Sequence, residues 1–386
     1  MTRTATSCDI FCAVVDNYGD IGVCWRLARQ LANEHGVEVR LWVDDLKSFG
    51  KLCPELDAAL DEQHCRGVEV RRWSADFPAV EPAGLVIEAF ACRLPESYVS
   101  AMAAREQKPV WVNLEYLSAE DWVEGCHKLP SPHPSLPLTK YFFFPGFTAK
   151  TGGLLLERDL LARRDAFQSD TGAQQRYWQS MGVPERFAGE LRVSLFGYEN
   201  EAMDNLLSVW ERGDQPATCL LPEGRSLPQV AAFFGHESGK AGDVWQRGQL
   251  RVHVLPFVEQ ECYDELLWAC DVNFVRGEDS CIRAQWAAKP FIWQIYPQHD
   301  GVHLEKLEAL RALYSAYLPP EAGLAVRELW LAWNGGSDIV GAWQRFVAQR
   351  VVLTRHSAEW AQRLTPNNLA LNLLDFYRQT SNPRIP

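Results

Sequence analysis

No run of about eighteen unbroken apolar residues occurs in this sequence of 386 residues, which excludes a helical membrane span. The apolar stretch near the start is short, interrupted by Asp9 and followed by acidic residues, so it reads as a first strand and not as a secretory leader. The protein is therefore expected to stay in the cytoplasm. No CxxC pair occurs among the eleven cysteines, and an odd number scattered from Cys8 to Cys281 makes no disulfide framework. Cys12, Cys219 and Cys270 sit inside apolar runs, where a thiol behaves as a small hydrophobe. The reading is reduced core cysteines with no metal or redox role. Positive charge is also short, with 38 Lys and Arg against 50 Asp and Glu and a net charge of −12. Neither nucleic acid nor an anionic membrane surface is an expected partner, because both need a positive footprint. A cationic partner is compatible.

Familiar catalytic signatures are missing too. The loop after the first strand has no G-x-G-x-x-G, and there is neither a P-loop nor a G-x-S-x-G elbow. Asp44 and Asp45 are adjacent, not spaced as Asp-x-Asp, and His253, His299 and His303 lack zinc-ligand spacing. No metal site and no cofactor are expected.

What is present is a repeated grammar. Apolar runs at 9–15, 37–43, 68–73, 85–91 and 108–116 alternate with amphipathic segments, the first of them a helix stopped at Gly36. Strand, helix, strand at this spacing predicts a mostly parallel sheet covered on both faces. The stretch LPSPHPSLP (129–137) reads as a loop, and KYFFFPGF after it as a pinned surface segment. The second half repeats the pattern, with strands at 191–197, 218–224, 250–257, 271–277 and 291–296. Helices are expected over 201–212, 263–270 and 278–289, and throughout most of the chain after Gly301. The expected fold is α/β: two Rossmann-like, doubly wound domains (1–180 and 181–386) facing each other across a cleft. C-terminal helices follow, and the last of them have the option of crossing back to the first domain.

Ligands in such sheets bind where strands lead into helices, at their carboxyl ends. Three of these loops carry unusual chemistry. The first, VVDNYGDIG, places Asp16 and Asp20 beside Gly19 and Gly22. A carboxylate at that helix mouth repels a diphosphate; Asp20 is an N-cap and Asp16 a turn-former, or one of them is a general base tuned by the other. The second, VRGEDS, packs Arg276, Gly277, Glu278, Asp279 and Ser280 at the mouth of a helix, where N–H groups and a cation make an anion site. Asp279 or Ser280 serves as a cap in the alternative. The third ends a strand at Phe257, with Gln260 and Tyr263 downstream. Phe257 is a base-stacking ring or a core aromatic, and Tyr198 in the GYEN loop has the same two readings.

Longer strings make a more specific case. DNYGDIGVCWRLARQL, NLEYLSAEDWV, KYFFFPGF followed by TGGLL, LFGYEN, CDVNFVRGEDS and RAQWAAKPFIWQIYPQ together span essentially the whole chain. In these the sequence resembles the EarP family of bacterial protein-arginine rhamnosyltransferases, which modify translation elongation factor P. The resemblance implies a GT-B fold, dTDP-β-L-rhamnose as donor, inversion at the anomeric carbon, and no metal requirement. It places the family's essential acids on Asp16 and Asp20, its thymine-stacking aromatic on Phe257 and its donor-binding tyrosine on Tyr198. Diphosphate and sugar contacts fall on Arg276, Glu278, Asp279 and Ser280, with Gln260 and Gly19 as further contacts. The expected division of labour has Asp20 as base toward a cationic guanidinium, Asp16 as its partner, and Arg276 with its helix N-terminus holding the departing nucleotide. Glu278 either binds sugar hydroxyls or buttresses Arg276. The alternatives are a GT-B enzyme with another acceptor, an epimerase or hydrolase on the same scaffold, and a noncatalytic interaction protein.

Overall fold

The structure is a computed structural model that describes residues 6–15, 18–297, 301–335 and 338–381. The chain forms two compact units, Met1–Arg158 with Leu364–Pro386, and Asp159–Arg363. The division falls ahead of the boundary expected at residue 180, because two helices in between belong to the second unit.

The first unit contains strands β1 (Ser7–Cys12), β2 (Glu38–Val43), β3 (Glu62–Cys65), β4 (Val68–Arg72), β5 (Leu85–Ala89), β6 (Val110–Leu114), β7 (Pro130–Pro132) and β8 (Thr139–Phe143). Helices α1 (Gly19–His35), α2 (Leu46–Leu52), α3 (Glu96–Ala104) and α4 (Trp122–Cys126) accompany them. The sheet order is β3-β4-β2-β1-β5-β6-β8-β7, parallel except for the antiparallel edge strands β3 and β7. Without those edges it is the doubly wound order, whose direction of growth reverses between β1 and β5. Gly36 closes α1 in the left-handed conformation, at φ 65°, which is the conformation its sequence position called for. On one face of the sheet, Phe11, Trp42, Val86, Tyr98, Met102 and Trp111 form a continuous core.

Two expectations fail here. Thr139–Phe143 is a regular strand, paired parallel to β6, and the proline-rich stretch before it supplies β7. Prolines are tolerated in β7 because it is an edge strand, where a missing N–H interrupts no interior ladder. Phe90 and Ala91 do not continue β5: both have φ 55° and form a turn closed by the Cys92 N–H donating to Ala89 O.

The second unit contains strands β9 (Leu191–Leu195), β10 (Ala217–Pro222), β11 (Val244–Arg247), β12 (Leu250–Leu255), β13 (Val272–Arg276) and β14 (Phe291–Gln294). Between and around them run α5 (Leu160–Ser169), α6 (Thr171–Ser180), α7 (Met203–Arg212), α8 (Leu227–Phe233), α9 (Gln260–Ala269), α10 (Asp279–Ala287) and α11 (Val302–Ser315). Helices α12 (Pro320–Trp333), α13 (Ile339–Ala348) and α14 (Arg350–Leu364) complete it. The order β11-β12-β10-β9-β13-β14 again reverses beside its first strand, between β9 and β13. Helix α7 buries Met203, Leu206, Leu207 and Trp210, the spacing of one helical face. Trp210, Trp333 and Trp343 surround Phe274 of β13, so an aromatic core lies under the strand that carries Arg276. Helix α5 belongs here because Gln168 donates to the carbonyls of Trp268 and Ala287, and Phe167 packs on Trp268.

The last helix, α15 (Leu369–Ser381), returns to the first unit. There Phe376 meets Tyr141 and Phe143 of β8, and Leu369 N–H donates to Leu154 O. All eleven cysteines are free, and burial pushes the thiols of Cys219, Cys270 and Cys281 well up. Among the described residues no helix is long and apolar enough to cross a membrane.

Candidate active site

The reversal point of the second sheet gathers most of the sequence-predicted residues. Strand β9 leads into Phe196-Gly197-Tyr198, and β13 beside it ends at Arg276 and turns through Gly277. Gly277 adopts φ 62°, a conformation that costs little only without a Cβ. Gly197 is close-packed: a Cβ there would stand 2.9 Å from Gln294 Oε1. Arg276 is 8% exposed, and its guanidinium lies 4.4 Å from the Phe196 ring centroid and 4.7 Å from that of Tyr198. Tyr198 is buried, its N–H donates to Gln294 Oε1 at 2.8 Å, and its ring meets Tyr296 edge-on at 5.5 Å. A planar cation sandwiched among fixed rings is oriented before any ligand arrives.

The helix that follows is not capped as the alternative reading had it. Glu278 is the N-cap position of α10 but makes no side-chain cap bond; its carboxylate pairs with Lys306 of α11 at 2.8 Å. The Ser280 hydroxyl turns back onto Arg276, accepting from its N–H at 3.1 Å and donating to its carbonyl. Ser280 therefore fixes the backbone of Arg276. Asp279 accepts from Gln260 Nε2 at 3.2 Å, which ties the mouth of α10 to the first residue of α9. Deeper in, Arg283 and Asp264 form a buried two-point ion pair, at 2.7 and 2.6 Å, between the same two helices. Phe257 lies two residues beyond the end of β12, half-buried, in the loop that leads to Gln260. Burial pushes the Tyr263 hydroxyl pKa well up, and its ring packs on Phe196, so this tyrosine is a wall of the site.

In the first unit, the reversal point lies between β1 and β5. Asp16 falls outside the described residues. Gly19 is the first residue of α1, and Asp20 follows it in the first turn, so the N-cap position belongs to Tyr18 and not to Asp20. Asp20 is 3% exposed, and its Oδ2 accepts from Val15 N–H at 2.9 Å. Asp44 accepts from Val14 N–H at 2.9 Å, so two carboxylates grip the loop that leaves β1. Asp45 caps α2 through the N–H groups of Lys47 and Ser48, which accounts for the adjacent acids without a metal. Among the described residues no group of three His, Cys, Asp or Glu side chains is placed to hold a metal ion. A separate hollow of about 540 Å³, lined in part by Arg40, His64 and Arg105, opens at the amino ends of β1 and β2. That is the edge of a parallel sheet opposite its ligand side.

Sequence reading missed Phe196, Arg225, Gln294, Tyr296 and Lys306. Phe196, Gln294 and Tyr296 lie inside the quoted strings LFGYEN and RAQWAAKPFIWQIYPQ, and the two aromatics were legible as strand-end rings. Lys306 lies on a helix remote in the chain, and nothing in its own neighbourhood marks it.

Solved glycosyltransferases share this architecture: the calicheamicin glycosyltransferase CalG4 covers 99% of this chain at a TM-score of 0.53 with 13% identity, a likeness of fold alone. The class is therefore α/β of the GT-B type, the fold of sugar-nucleotide glycosyltransferases. A solved structure described as the "structural basis for EarP-mediated arginine glycosylation of translation elongation factor EF-P" is similar over 97% of this chain and 99% of that one. Its identity is 38% and its TM-score 0.70. The protein-arginine rhamnosyltransferase of Pseudomonas putida is 52% identical over 96% of this chain and 98% of its own length. Residues 8–378 match the family profile described as elongation factor P rhamnosyltransferase EarP, and the chain belongs to that family.

Proposed function

We propose that this protein moves rhamnose from dTDP-β-L-rhamnose to an arginine side chain of translation elongation factor P, in the cytoplasm, with inversion at the anomeric carbon. The observation that carries this reading is the near-full-length likeness to protein-arginine rhamnosyltransferases, together with the Arg276–Tyr198–Phe196 cluster at the sheet's reversal point.

The reaction asks opposite things of its two substrates. A guanidinium is cationic at neutral pH, delocalised and a poor nucleophile. As its nitrogen attacks the anomeric carbon, the bond from that carbon to the diphosphate oxygen breaks and the nitrogen must shed a proton. Prior deprotonation is not available to a group with a pKa above about 12, so proton loss accompanies or follows attack. Asp20 takes that proton, and Asp16 helps attract and orient the cation. The pair of electrons leaves with dTDP. Arg276 and the N–H groups at the start of α10 meet the charge that develops there, with no metal needed. Phe257 stacks on thymine. Glu278, held by Lys306, acts through sugar hydroxyls, and Asp279 with Gln260 closes the same side.

The test is mass spectrometry of elongation factor P incubated with this protein and dTDP-β-L-rhamnose. Addition of one deoxyhexose to one arginine is expected, unaffected by chelator. An unmodified acceptor beside free sugar would mean a hydrolase instead.

A further inference from the structure

Arg225 stands where β10 gives way to α8, exposed, with its guanidinium carbon 5.9 Å from the centroid of the Tyr198 ring. The same ring already carries Arg276 at 4.7 Å. Two guanidinium groups thus converge on one tyrosine at the carboxyl edge of the adjacent strands β9, β10 and β13. The ring is not free to follow either of them, because Tyr198 is buried and its backbone is pinned to Gln294.

Like charges gathered at one place repel, and a ring quadrupole offsets only part of that cost for an exposed cation. Some surface arginines of this unit have acids beside them, as Arg247 has Glu211 at 3.0 Å and Arg345 has Glu328, whereas Arg212 and Arg355, exposed away from that edge, have no ion pair among the described residues. Among the described residues Arg225 has no ion pair and no hydrogen bond. An arginine placed at a ligand edge, next to a second arginine and with no carboxylate of its own, is completed by an anion from outside. The anion must be one that two guanidinium groups can share, which suits the several non-bridging oxygens of a diphosphate.

We propose that Arg225 is a second diphosphate-binding arginine, taking a non-bridging phosphate oxygen of the nucleotide while Arg276 holds the other side. This rests on the reading that the second unit binds a nucleoside diphosphate sugar. It assigns a role to a residue outside every motif singled out in the sequence, and it divides the work: Arg276 is preorganised by its rings, whereas Arg225 is recruited by the ligand.

The experiment is calorimetric titration of the full chain and of its Arg225→Gln and Arg225→Lys variants with dTDP, beside a competition measurement with thymidine, at low and high salt. Arg225→Gln is expected to weaken dTDP about tenfold, the lower end of a charge-assisted hydrogen bond. Thymidine affinity stays unchanged, Arg225→Lys recovers part of the loss, and the difference shrinks as salt rises. Equal affinity of wild type and Arg225→Gln for dTDP overturns the role of Arg225 alone. So does a matching loss for thymidine, which would mean that Arg225 only supports the Tyr198 ring. A wild-type chain that fails to bind dTDP overturns the proposed donor, and this inference with it.

Discussion

The Arg276 guanidinium lies 4.7 Å from the centroid of the Tyr198 ring, on residues that adjacent strands deliver to the same edge of one sheet. Stacking needs the flat, delocalised guanidinium, which a lysine ammonium does not supply. Arg276→Lys is therefore expected to keep the charge and still weaken dTDP binding by about tenfold or more, read by calorimetry. Affinity equal to wild type would show that Arg276 acts as a point charge or not at all.

Phe257 sits in the loop between β12 and α9 and is assigned to the nucleobase. Phe257→Ala should cost roughly 1–3 kcal/mol of dTDP affinity, the contribution of one stacked base. Free ribose phosphate, which has no base, should compete equally well against wild type and variant. If it discriminates between them, Phe257 is acting through the loop and not through thymine.

Replacing Asp20 is expected to separate binding from turnover. Asp20→Asn keeps the shape and the bond from Val15 N–H but removes the proton acceptor. A loss of about a hundredfold to ten-thousandfold in transfer rate is expected, with the dTDP dissociation constant unchanged. Loss of donor affinity in this variant would sink the assignment of Asp20 to the acceptor side.

The buried pair of Asp264 and Arg283 joins the two helices whose first residues, Gln260 and Asp279, meet at the site. Asp264→Ala leaves the Arg283 guanidinium buried without that carboxylate, and a destabilisation of about 3–5 kcal/mol is expected. The double replacement Asp264→Leu with Arg283→Met should recover much of the melting temperature. Recovery of stability without recovery of dTDP binding would show that the pair also sets the geometry of the α10 mouth.

His253 on β12 provides a pH signature. Burial, reinforced by Arg251 and Arg192, pushes its pKa down to about 4. The folded state therefore prefers the neutral ring, while the unfolded chain takes up a proton near pH 6.5. Stability from this group is full above about pH 6.5 and is lost as pH falls toward 4. Melting curves should drop more steeply over that interval for wild type than for His253→Gln. Parallel curves would mean that His253 is not held neutral.

Much of this is legible in the sequence. Apolar runs of strand length alternating with one-faced helices record which side of each segment is buried, and that is enough to read two doubly wound sheets. Gly36 ended its helix where the pattern placed it, because the chain turns there through a left-handed conformation that favours a residue without a Cβ. The VRGEDS loop stood out as a candidate site because its charges exceed what a helix start requires. Where the pattern erred, a neighbour decided the outcome. Thr139–Phe143 became a strand because β6 offered its open edge, and α5 joined the second unit because Gln168 found acceptors there.

Periodicity says that a face is covered and is silent about what covers it. The rings around Arg276, the lysine across from Glu278, the hydroxyl of Ser280 turned onto its own backbone, and the approach of Arg225 to Tyr198 are all pairings between segments distant in the chain or folded back on themselves. Sequence alone determined the alphabet of the site: arginine, acids, glycine and aromatics at the carboxyl ends of strands. Strand order, which is set by how whole layers bury their apolar faces, chose which of those letters stand together.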